Sequence, residues 1–184
     1  MKLPIQSLAR IGVLAALMVS GHASASDYGC KVLLCLANPA SNGGPKGVAE
    51  CVDPINRLYN DLAHGRPFPR CEESEATGNR AVPVNDPFDP CPSPLQPAEP
   101  DQYVVQGQPS ASSVYGYSQT AAPQLGATAG QRACVGRFVG RYQMGGNDDG
   151  TTVYVYDQVV WQKAESPRAI DIYWGNVWTQ RVRW

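Results

Sequence analysis

Apolar positions in this chain change period twice. They recur at helical spacing between Asp27 and His64, lose regularity, then alternate after Gln131. Val32, Cys35 and Leu36 share one helical face, which predicts a helix from Asp27 to about Ala37 with Asp27 as its N-cap. Asn38-Pro39 closes it, because a residue before proline avoids the helical region. The breakers of Ala40 to Gly47 (ASNGGPKG) make a loop. A second helical period runs through Val48, Cys51, Val52, Ile55, Leu58, Tyr59 and Leu62. Pro54 interrupts it, and proline is welcome only in the first turn of a helix. The expected arrangement is therefore a short turn over 48–52, then a helix from Pro54 to His64 capped by Asp53. Helix, loop and helix together predict an antiparallel hairpin.

The last third alternates. Ala133 to Met144 and Thr151 to Gln162 read as strands around a turn at Gly145 to Gly150. After a second turn over Lys163 to Arg168, Ala169 to Trp184 reads as two strands around Gly175-Asn176. That predicts an antiparallel β-meander of about four strands. Between the two regions, Val82 to Pro100 carries seven prolines. Such a run favours extended chain and predicts a linker. The fold class expected is α+β: an N-terminal helical hairpin (26–71), a Pro/Gly/Ser-rich acidic linker (72–130) and a small β-unit (131–184).

The first 25 residues change this picture. Lys2 and Arg10 give a positive start ahead of an apolar run at Ile11 to Val19, and Ala23 and Ala25 have the spacing of a signal-peptide cleavage site. The apolar run falls short of the ~20 residues of a spanning helix. Residues 1–25 are thus expected to be a signal peptide, with no stable membrane insertion after cleavage. Removing them takes the formal net charge from −1 to −3, and the linker alone carries seven acids against Arg80. Nothing basic argues for nucleic acid as a partner.

All six cysteines, Cys30, Cys35, Cys51, Cys71, Cys91 and Cys134, lie beyond the cleavage site. An even count in an exported chain is the pattern of a disulfide framework, and the compartment expected is the periplasm. A hairpin of about 46 residues buries little core and gives staples a structural purpose. Its four cysteines allow three pairings, and the sequence does not choose among them. Hairpin geometry suits a nested set, Cys35 with Cys51 and Cys30 with Cys71, and leaves Cys91 for Cys134.

Candidate chemistry is sparse. Cys30 and Cys35 have no matching second pair or histidines for zinc, and no C-x-x-C redox motif is present. His64 suits a helix end better than catalysis. Asp53 is better explained as a cap, and NDDG (147–150) as turn chemistry. No catalytic residue, cofactor or metal is expected. The remaining feature is aromatic: Trp161, Tyr173, Trp174, Trp178 and Trp184, with Arg181 and Arg183 on one face of the last strand. Trp, Tyr and Arg are the usual anchors of interfaces, so these seven are the candidate partner-binding residues.

DYGCKVLLCLANP (27–39), followed by GG-x-K-G-VAECVDPINRLYNDLAHGRPFPRC ending at Cys71, resembles the TrbM/KikA/MpfK family of conjugal transfer proteins. YVYDQVVWQ (154–162) and NVWTQRVRW (176–184) are similar to the tail of longer members. The resemblance implies an exported protein encoded with a conjugative type IV secretion system, with a role in mating-pair formation or DNA transfer. The function expected is a non-enzymatic periplasmic accessory of that apparatus, acting by contact with its protein components. It supplies no catalytic residues. Rival expectations are a cell-envelope enzyme acting on peptidoglycan and an exported effector or toxin acting in the recipient.

Overall fold

The computed structural model describes residues 23–145 and 150–184. Most of the expected signal peptide and of the NDDG turn lies outside the described residues. The helices are α1 (Ala23–Leu36), α2 (Ala49–Ala63) and the one-turn α3 (Glu72–Glu75). Two 3₁₀ turns, Ala40–Asn42 and Gly44–Lys46, join α1 to α2. The strands are β1 (Arg80–Asn85), β2 (Gln96–Pro97), β3 (Tyr103–Pro109), β4 (Tyr117–Gln119), β5 (Gln124–Leu125) and β6 (Gln131–Val135). Then come β7 (Phe138–Met144), β8 (Thr151–Tyr156), β9 (Val159–Lys163), β10 (Arg168–Trp174) and β11 (Val177–Arg183). The described residues are α+β, with few helices and three mainly antiparallel sheets.

Two helix boundaries depart from expectation. Asp27 lies inside α1 and is not its cap. Helix α2 begins at Ala49 and runs through Pro54 without a break. Pro54 forfeits one ladder donor, but the Cys35–Cys51 bridge and the burial of Ile55 and Leu58 hold the helix on both sides of it. The bridges are Cys30–Cys71, Cys35–Cys51 and Cys91–Cys134, and no described cysteine is free.

The Pro-rich middle is not a linker. It contributes β1 to β5 and buries Phe88, Leu95, Ala98, Val104 and Val105. Its prolines are compatible with sheets because of where they sit. Asp86 N–H donates to Pro167 O. By the alternation of an antiparallel ladder, Arg80, Val82 and Val84 then bond to β10, while Ala81, Pro83 and Asn85 point outward. The missing N–H of Pro83 therefore falls on the free edge, where it costs no ladder bond.

The four-stranded meander is also corrected. Both expected strand pairs form, but they do not join into one sheet: β10 and β11 make the last hairpin, and β1 takes the place beside β10 where the preceding strand was expected. The two long strands expected before it are a ribbon bent halfway. Gly136 N–H donates to Gln158 O and Asp157 N–H to Arg137 O, so both chains turn at the same level. Beyond the bend, β6 and β9 join β2 in one sheet. Before it, β7 and β8 join β3 and β4 in another, with β5 also on β3. The bend is held by Asp157, whose carboxylate accepts from Arg137 N–H and its guanidinium.

Three small cores result. The largest packs Val32, Cys35 and Leu36 of α1 and Ile55 and Leu58 of α2 against Ile170, Ile172 and Val182. These three strand residues share one face of the β1–β10–β11 sheet, as period-2 alternation requires. Ala98, Val104, Ala133 and Val135 form the second core, and Val105, Val153 and Val155 the third.

Candidate functional site

Gly175 and Asn176 turn β10 into β11 with φ of 57° and 66°, the two positive values that a tight two-residue hairpin turn requires. Glycine and asparagine tolerate that region best. Next to the turn, Trp174 faces Val177, and Tyr173 faces Trp178. Alternation puts the first pair on the helix-side face and the second on the opposite face. Both faces of the tip are therefore apolar. Trp174 is 47%, Val177 66% and Trp178 36% exposed.

The tip is braced from below. Gly175 N–H donates to Asn79 Oδ1, and Asn176 N–H to Gly78 O. Arg80 stacks over the Tyr173 ring at 4.3 Å and donates to Asn176 Oδ1 at 2.8 Å. Trp178 donates its indole N–H to Asp171 Oδ1 at 3.1 Å. Two tryptophans and a valine are thus displayed on a turn whose backbone and indole are fixed.

Arg181 and Arg183 share a face of β11 but are not displayed. The Arg181 side chain is 5% exposed and clamps Asp171 with two bonds, of 2.7 and 2.8 Å. It also pairs with Asp86 at 3.3 Å and donates to Phe88 O. Arg183 pairs with Glu165 and Asp89 and donates to Asp86 O. Both arginines hold the chain segment 86–89 over the sheet. Burial pushes the Asp171 carboxyl up. Hydrogen bonds from Arg181 and Trp178, with the charges of Arg181 and Arg183, outweigh it and leave its pKa below the ordinary value. The bond to Asp171 in turn holds Arg181 firmly charged.

The other two tryptophans are elsewhere. Trp184 stacks on Tyr59 at 6.2 Å, with the Arg168 guanidinium 5.4 Å from the Trp184 ring, and so ties the last strand to α2. Trp161 packs on the second core. The seven candidate residues therefore separate into a displayed tip (Tyr173, Trp174, Trp178), a buried ionic clamp (Arg181, Arg183) and two packing rings (Trp161, Trp184). Val177 and Arg80 belong to the tip and were missed. The signal for Val177 was its place across the Gly-Asn turn from Trp174; nothing in the sequence marks Arg80.

No protein-family model, characterised protein or solved structure matches this chain. Three disulfides are consistent with an exported protein that folds in an oxidising compartment. Among the described residues, no helix is long and apolar enough to cross a membrane. Among the same residues, no group of three or more His, Cys, Asp or Glu side chains is placed to hold a metal ion.

Proposed function

We propose that the protein is an exported accessory of a conjugative type IV secretion apparatus, located in the periplasm and acting by protein contact. The observation that carries the contact role is the braced tip of Trp174, Val177 and Trp178. An apolar knob held by backbone and indole hydrogen bonds loses little freedom on docking, which is the main cost of an interface. The conjugative setting rests on the resemblance of residues 27–71 to the TrbM/KikA/MpfK family. In this reading the stapled helical hairpin is a rigid module that carries the sheet and its tip. The partner is a protein component of the apparatus.

Transfer frequency from a donor carrying an in-frame deletion tests the proposal. The deletion is complemented with wild type and with a Trp174→Ala, Val177→Ser double variant. Wild type is expected to restore transfer and the double variant to restore little of it. Truncating central anchors of an interface costs about 2 kcal/mol or more, roughly 30-fold in affinity. Unchanged transfer after deletion sinks the conjugation role and moves the recipient-active effector forward. Full rescue by the double variant keeps the role but removes the tip from it.

A further inference from the structure

The free edge of β1 borders a groove of about 330 Å³. Its apolar lining is Phe68, Ala81, Val82 and Pro83, and its charged rim is Arg70, Arg80 and Glu75. Among the described residues, β1 pairs only with β10. Ala81 and Asn85 therefore turn both backbone groups outward, and Pro83 turns out its carbonyl. Among the described residues, no other backbone hydrogen bond reaches these three positions. An open strand edge beside an apolar groove is the arrangement by which sheets accept an added strand.

The rim indicates which strand. Two arginines face one glutamate, in a chain whose formal net charge is −1. Arg80 is already oriented by the Tyr173 ring and by Asn176. Arg70 is exposed and free to reach outward. Guanidinium groups suit carboxylates, which they bind through two parallel bonds. We propose that the β1 edge binds an extended acidic segment of a partner protein by strand addition, with a side-chain carboxylate received between Arg70 and Arg80. Pro83 shapes the same site. It offers no N–H, so an added strand bonds at Ala81 and Asn85 with one donor missing between them.

This surface shares Arg80 with the brace of the aromatic tip but lies along the β1 edge, and its test does not depend on conjugation. A displayed library of random octapeptides is selected on the purified full chain with its three bridges intact. An enriched peptide is then synthesised and its affinity measured by fluorescence anisotropy. The expected consensus alternates β-branched residues with Asp or Glu. Arg70→Glu is expected to weaken binding about tenfold, from loss of a charge-assisted bond and its replacement by repulsion. Asn85→Pro removes one outward donor and is expected to weaken it roughly three- to tenfold. Both side chains are exposed, and circular dichroism checks that each variant keeps its fold. Backbone N-methylation of the peptide gives a readout independent of the variants and is expected to abolish binding. No consensus, a basic consensus, or affinity indifferent to both variants and to N-methylation overturns the proposal. So does a dimer in solution that Asn85→Pro dissociates, because the edge would then belong to a second copy.

Discussion

At the scale of single residues, Asp171 shows why a charged face can be structure and not site. It is buried on the central strand, and its two oxygens accept from Arg181 and from the Trp178 indole. Replacing it with Asn removes the nearer and more buried of the two carboxylates that pair with the Arg181 guanidinium and leaves Asp86 alone to balance it. We expect Asp171→Asn to cost about 3 kcal/mol or more at neutral pH, read from urea unfolding. The pH dependence has a definite sign. Because the folded-state pKa is depressed, the contribution is fully present above the ordinary value of about 3.9 and is lost as pH falls through the folded value. The stability gap between wild type and variant should therefore narrow on acidification below pH ~4. A gap that is constant down to pH 2 would show that Asp171 does not titrate with folding. Alternation alone put Arg181 and Arg183 on one face of the last strand, and that much was legible. It could not reveal that Asp86 and Asp89, nearly a hundred positions earlier, cover that face.

At the scale of elements, the helices and the last hairpin were legible because their signals are local. The 3.6-residue period of Ile55 and Leu58 and the Gly175-Asn176 turn each lie within a dozen residues. The helix starts were misjudged because Pro54 looks like a boundary, and the bridge that holds its helix through it is a tertiary fact. Gly29 is a comparable case. A Cβ built there would lie 1.9 Å from Arg70 O, so α1 and the chain before α3 touch backbone to backbone. That contact sets the 4.4 Å Cα separation of Cys30 and Cys71. Gly29→Ala should force the two apart at a cost of about 1–3 kcal/mol. Alkylation and mass spectrometry would report it as free thiol at Cys30 and Cys71. A fully bridged variant of unchanged stability would mean that the backbone contact is not tight.

At the scale of the whole molecule, the sequence misled most in its middle. Proline counts report what a stretch cannot do in a sheet interior, and they say nothing of edges. β1 and β2 are both outer strands of their sheets. The bend at Gly136 and Asp157 was hidden for a related reason, since alternation continues through it while the sheet partner changes. The bridges carry a consequence for how the protein is made. Thiols reach an export compartment in chain order, and a catalyst that joined them on arrival would link Cys30 to Cys35 and Cys51 to Cys71. The native bonds are nested there, and of the three only Cys91–Cys134 is a bond that joining thiols on arrival would make. Maturation must therefore either wait for Cys71 or undo early bonds. Refolding of reduced chain with oxidant alone should accumulate the Cys30–Cys35 species, and a shuffling thiol should clear it. Equal native yield with and without that thiol would mean that the helices find each other before their sulfurs react.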